Sequence, residues 1–97
     1  MELTFEWDEV KARANLRKHR VSFEEAKTIF GDPFLMTFPD PDHSIDEARY
    51  LNIGRSAKGR LLIVIHTERE PNIRLISGRK AKPGERKFYD ERKHSEN

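Results

Sequence analysis

The sequence predicts an α+β domain: a short N-terminal strand and two helices, then a four-stranded antiparallel meander and a C-terminal helix. Three observations predict it. The only long apolar run, residues 61–65, is followed by a Glu70-Pro71-Asn72 turn signal and a second β-rich run over residues 73–77, the pattern of an antiparallel hairpin. Upstream, two segments carry helix caps and helical spacing instead of alternation. Helices come first and most strands afterwards, an order that points to helices packed on one face of a sheet. At 97 residues the chain is expected to form a single domain spanning 1–97.

Leu3, Phe5 and Trp7 alternate with Thr4 and Glu6 as a short strand does. Asp8 is placed to cap a helix over residues 9–19, whose Lys11, Arg13, Arg17 and Lys18 lie toward the middle and end, where cations suit the helix dipole. Ser22 with Glu25 three residues later reads as a capping box opening a second helix. Gly31-Asp32-Pro33 stops it, because glycine permits a left-handed cap and proline cannot continue a helix. Strands follow near residues 34–38, 48–55, 60–68 and 73–79, with Ala57-Lys58-Gly59 as the turn before the central hairpin. Lys82-Pro83-Gly84-Glu85 starts the last helix, docked by Phe88 and Tyr89.

Side chains alternate along a strand, so Arg60, Leu62, Val64, His66 and Glu68 share one face and residues 61, 63, 65 and 67 the other. On the following strand, Ile73, Leu75, Ser77 and Arg79 oppose Arg74, Ile76, Gly78 and Lys80. Both faces of both strands hold apolar residues, which predicts a sheet covered on one face and partly covered on the other. In a regular strand Arg74 and Arg79 point apart, and they join one site only if the strand bulges or one of them sits over the sheet edge.

Charge is distributed unevenly. Residues 22–47 carry one Lys or Arg against seven acids, and residues 48–97 carry thirteen against six. A basic half beside an acidic segment suggests a site for a polyanion; a solvated charge pattern is the bland alternative. The absence of cysteine excludes disulfides, thiol nucleophiles and thiolate metal sites. No run approaches the roughly eighteen apolar residues of a membrane span, and the N-terminus lacks a signal-peptide pattern, so a cytoplasmic protein is expected. Asp40, Asp42, His43, Asp46 and Glu47 supply metal-type ligands, but without an EF-hand glycine or a His-Glu-x-x-His pattern they read as a solvated acidic loop, and no metal or cofactor is predicted.

Phe5-Glu6-Trp7-Asp8, the Val21-Ser22-Phe23-Glu24-Glu25-Ala26 segment, Asp40-Pro41-Asp42-His43-Ser44 and Arg74-Leu75-Ile76-Ser77-Gly78-Arg79-Lys80-Ala81 closely resemble the BrnT family of bacterial toxins, over nearly the whole chain. Gly78 departs from the alanine expected in many relatives. The resemblance implies a RelE-like fold and the toxin half of a type II toxin-antitoxin pair. Such a toxin is an endoribonuclease that inhibits translation, is neutralised by a BrnA-like antitoxin and meets DNA only through that antitoxin. RNA carries its own nucleophile, the 2′-hydroxyl, so cleavage needs a base, cations on the phosphorane and an acid for the leaving oxygen, but no metal. His66 is the strand histidine suited to proton transfer, and Arg74 and Arg79 offer bidentate donors. By pattern with RelE-like enzymes, Arg79 and Tyr89 map onto a catalytic arginine and tyrosine, with Arg49, Lys80 and Lys82 binding the RNA backbone. Each has a structural alternative: His66 as a hydrogen-bonded core residue, Arg74 in a sheet-bracing ion pair, Tyr89 docking the last helix. A noncatalytic nucleic-acid or partner-binding module, or a degenerate toxin kept only as a partner for its antitoxin, is the competing function.

Overall fold

The computed structural model describes residues 3–43 and 46–95. Strand β1 (Thr4–Glu6) leads into helix α1 (Glu9–His19), whose cap is the expected one: the Asp8 carboxylate accepts the Lys11 N–H at 3.0 Å. α1 ends where Arg20 adopts a left-handed φ of 59° and donates its N–H to the Leu16 carbonyl. Helix α2 (Phe23–Ala26) is capped by the Ser22 hydroxyl, which accepts the Glu25 N–H at 3.0 Å, and continues as a 3₁₀ turn over Lys27–Gly31. The Glu25 carboxylate does not complete the capping box. It turns inward, is buried, and accepts hydrogen bonds from Ser56 Oγ at 2.7 Å and from the Arg60 guanidinium.

Strands β2 (Met36–Pro39), β3 (Arg49–Arg55), β4 (Leu61–Arg69) and β5 (Asn72–Lys80) form the antiparallel meander, followed by helix α3 (Pro83–Ser95). The sheet order is β1-β5-β4-β3-β2. Here the structure extends the sequence reading: β1 joins the sheet, running parallel to β5 with Phe5 opposite Ile73, so the sheet has five strands and is mixed. Pairing satisfies the outer edge of β5 and seats Phe5 against Phe30, ring centroids 5.3 Å apart.

The helices do not all lie on one face, which corrects that expectation. Leu62, Val64 and Leu75 pack with Val21, Phe23, Ala26 and Ile29 beneath α1 and α2. On the opposite face, Met36, Ile53, Leu61 and Ile63 pack against Tyr89 of α3. The reason is the double-sided hydrophobicity of β3 and β4, which requires cover on both sides. α3 covers only part of its face, as predicted for the sheet as a whole. The part left open carries the candidate site.

Candidate functional site

The β4–β5 ladder pairs Ile65 with Ser77 but His66 with Leu75, leaving Ile76 as an extra residue. This β-bulge resets the alternation of β5. Arg74 now lies opposite Thr67, Ser77 opposite Ile65 and Arg79 opposite Ile63, and residues 63, 65 and 67 share a face. The same rows continue across β4 to Arg49, Leu51 and Ile53 on β3. Arg74 and Arg79, which a regular strand would separate, therefore stand on one face with Arg49. Between Arg49 and Arg79 runs a groove of about 330 Å³ lined also by Asp40, Leu51, Ile63, Ile65, Ile76 and Ser77, and Arg74 stands outside that lining.

Carboxylates hold Arg79 and Arg74 in place. Glu85, three residues into α3, accepts Arg79 Nη1 at 2.9 Å on one oxygen and Nη2 at 2.8 Å on the other. Its first oxygen also accepts the Lys82 N–H at 2.8 Å, capping the helix that opens at Pro83, where no N–H is required. Hydrogen bonding from Arg79 holds the Glu85 carboxyl below its ordinary value, and Glu85 raises the Arg79 pKa in turn. Because Glu85 meets the Nη1–Nη2 end of the guanidinium, the Nε–H and the second Nη2–H form a side edge uncommitted among the described residues. Arg74 Nη1 donates to Glu6 on β1 at 2.6 Å, and Asn72 donates to the other Glu6 oxygen at 2.8 Å; those bonds, Asn72's first, hold the Glu6 carboxyl low. Asp40 follows β2 directly and is anchored beside Arg49 by its N–H to the Arg49 carbonyl, 2.8 Å.

A family model described as the ribonuclease toxin BrnT of a type II toxin-antitoxin system matches residues 7–85. The chain belongs to the BrnT family. The crystal structure of the Brucella abortus ribonuclease toxin BrnT is similar in fold, with a TM-score of 0.65 and 24% sequence identity over 84% of this chain and 99% of that one. No curated protein matches the chain significantly. The stretch matched to the BrnT family contains Asp40, Arg49, Arg74, Arg79 and Glu85, whereas Tyr89 lies beyond it.

Two residues singled out from the sequence stand apart from the groove of this BrnT-family chain. His66 lies on the face covered by α1 and α2 and is 4% exposed. Its ring stacks on Tyr50 at 5.1 Å and meets Phe30 edge-on at 5.6 Å. Asn52 spends one amide hydrogen on the Val64 carbonyl and approaches His66 Nδ1 at 2.7 Å with the other, while its oxygen accepts Thr37 Oγ1. Nδ1 is thereby the acceptor, the tautomer is the neutral one with the proton on Nε2, and burial pulls the pKa below 6.5 against the opposing pull of Glu68. Tyr89 is 1% exposed and donates its hydroxyl to Asp32 Oδ2 at 2.7 Å. The same carboxylate accepts the N–H groups of Arg55 and Phe34, and burial followed by Asp32 pushes the phenol up to about 12.

Lys80 is exposed and lies opposite Leu62, on the helix-covered side, and Lys82 is exposed at the start of α3; neither lines the groove. Among the described residues no group of three His, Asp or Glu side chains is placed to hold a metal, and the His43 side chain and Ser44 of the acidic loop lie outside those residues. No helix among the described residues is long and apolar enough to cross a membrane. The sequence reading missed Asp40 as a groove residue and Glu85 as the partner of Arg79. The signal for each was positional: an acid one residue past a strand end, and an acid three residues into a helix whose first turn follows an arginine-bearing strand.

Proposed function

We propose that this BrnT-family toxin is a metal-independent endoribonuclease that works in the open groove, inhibits translation by cutting RNA, and is neutralised by a BrnA-type antitoxin bound over that groove. The observation that carries the reading is the bulge at Ile76, because it gathers Arg74, Ser77 and Arg79 onto the uncovered face with Arg49. Arg79 presents its side edge to the nonbridging oxygens of the scissile phosphate, with Glu85 fixing the guanidinium from the other end. Arg49 and Arg74 neutralise the phosphate and its neighbour, and Lys82, exposed at the start of α3, extends the attraction along the backbone, whereas Lys80 on the other side of the sheet adds only long-range attraction. Asp40, the carboxylate lining the groove, accepts the 2′-hydroxyl proton. The 2′-oxygen attacks phosphorus, the bond to the 5′-oxygen breaks, and that oxygen takes a proton from water in the groove. The products are a 2′,3′-cyclic phosphate and a 5′-hydroxyl. His66 and Tyr89 serve this chemistry through the fold, a reading supported by their burial, by the Asn52 bond to His66 Nδ1 and by the Tyr89 bond to Asp32.

The test is cleavage of a labelled, ribosome-free RNA in EDTA by wild type, Arg79→Ala and Asp40→Asn, with folding checked by thermal melting. Cleavage by wild type and its loss in either variant is the expected result. Activity that vanishes with EDTA and returns with a divalent ion overturns metal independence. The second reading, a noncatalytic RNA- or partner-binding module, is favoured by the ion pairing of Arg74 and Arg79 within the chain. It predicts binding by well-folded wild type with no cleavage, weakening gradually as each cation is removed.

A further inference from the structure

A second cleft, about 190 Å³, adjoins the arginine groove and shares Leu51 and Ile63 with it. Its outer walls are Phe38 of β2 and Phe88 of α3. Phe38 is 38% exposed and Phe88 50% exposed, and neither belongs to the two buried clusters. Their rings lean toward each other at 6.0 Å and 51°. Two aromatic rings that the core does not use are thus held at the mouth of an apolar cleft, beside a row of cations.

We infer that this cleft is a nucleobase subsite: a base flanking the scissile phosphate stacks on Phe88 and Phe38 while the phosphates lie along Arg79 and Arg49. The inference rests on the ribonuclease reading of the groove and adds to it the place where RNA is read. Single-stranded RNA is recognised through unstacked bases laid on aromatic side chains, and every base offers such a face. Among the described residues lining the cleft Glu85 alone is charged, and it is paired with Arg79, so the cleft suits a flat, uncharged group. A base sandwiched between the rings requires a separation of about 7 Å, twice a carbon–carbon contact. At 6.0 Å and inclined, the rings form a platform open on one side, not a closed clamp.

The probe is a short all-deoxy oligonucleotide carrying one 2-aminopurine; lacking the 2′-hydroxyl, it binds without being cut. Stacking quenches 2-aminopurine fluorescence. Wild type and Phe88→Trp are expected to quench it, while Phe88→Ala and Phe88→Leu lose the quenching and weaken binding by about 5- to 150-fold. An oligonucleotide abasic at that position is expected to bind wild type and Phe88→Ala alike. The half-exposed position keeps all three variants folded, which melting verifies. Equal quenching by wild type and Phe88→Ala, a Phe88→Leu variant that behaves as wild type, or no oligonucleotide binding by wild type overturns the inference. So does a Phe88→Ala variant impaired only in capturing a purified antitoxin, which makes the cleft a protein-docking site. Cleavage of the matching RNA is scored separately. Quenching without cleavage leaves the subsite standing and removes the ribonuclease reading; cleavage indifferent to Phe88 does the reverse.

Discussion

Replacing Arg79 with alanine separates the chemistry of the groove from the stability of the fold. Removing one preorganised donor to a charged transition state costs about 10²- to 10³-fold in kcat. Arg79 presents a two-donor edge, which places the expected loss at the upper end of that range. The Arg79 and Glu85 side chains are both 31% exposed, so solvent screening limits the pair to about 1 kcal/mol of stability or less. A loss of that size lowers Tm by about 4–8 °C in a domain of this length and leaves the protein folded at 25 °C. The assay is single-turnover cleavage of labelled RNA in EDTA, with RNA affinity measured across salt concentrations. One lost phosphate contact is expected to reduce the slope of log affinity against log salt by about one. Arg79→Lys keeps the charge and is expected to recover affinity but not rate, since lysine has no planar fork. Glu85→Gln removes an anion from the rim, so RNA binding is not weakened, while the rate falls by less than in Arg79→Ala as the guanidinium loses part of its anchor. An Arg79→Ala protein that melts cooperatively and cleaves within twofold of wild type refutes the assignment of the groove.

Tyr89→Phe is expected to retain cleavage within a few fold, to lose about 1–2 kcal/mol of stability from the missing bond to Asp32, and to lessen the loss of stability above pH 10. The folded phenol titrates near 12, so between 10 and 12 the unfolded chain sheds that proton first; urea melts of both proteins over this range check it. His66 has the opposite linkage: its folded pKa lies below 6.5, so as pH falls through 6.5 the unfolded state takes up the proton first and stability declines. His66→Gln is expected to flatten that part of the stability–pH curve while cleavage near pH 7.5 survives, and loss of cleavage in a folded His66→Gln protein returns the histidine to the reaction. Glu25→Ala strips the anion from a pair in which the Glu25 side chain is 2% exposed and Arg60 33%. Arg60 regains water, which reduces the usual buried-pair penalty to about 2–3 kcal/mol, measurable by denaturant melts; a loss below 1 kcal/mol contradicts the inward role of Glu25.

What was legible in the sequence was what short-range rules govern. Asp8 and Ser22 cap the helices they were expected to cap, and Pro83 opens the last one. The meander runs as the alternation and turn residues indicate. The illegible parts depend on contacts between distant segments. β1 pairs with β5 some 68 residues away, and a three-residue strand carries no mark of its partner. Phe88 and Tyr89 are adjacent aromatics, and only packing against β3 and β4 decides that Tyr89 is buried while Phe88 faces outward. His66 is a polar residue at the end of an apolar run. Its environment is made by Phe30 of the 3₁₀ turn and by Tyr50 and Asn52 of β3, so nothing local distinguished a core histidine from a catalytic one.

The bulge is the hardest feature to read because Leu75 and Ile76 are both apolar and either satisfies a strand pattern. Gly78 decides it. In the observed register Gly78 faces the helices opposite Val64, where a Cβ would meet Ala26 at 3.4 Å and Val21 at 3.5 Å, and Asn15 bonds both its N–H and its carbonyl. Without the extra residue, Ser77 would take that place and carry a hydroxyl into apolar contacts, at about 1–3 kcal/mol if unbonded. Arg79 would turn to the helix side, away from Glu85. These costs fall on the same side, so the register is held by the apolar packing beneath α1 together with the Arg79–Glu85 pair. Orientation of the groove is then in part a consequence of packing on the opposite face of the sheet. Substitutions at Asn15 or Gly78, which touch no RNA in this reading, are therefore expected to disturb Arg79 more than changes of equal size on the exposed surface of α3.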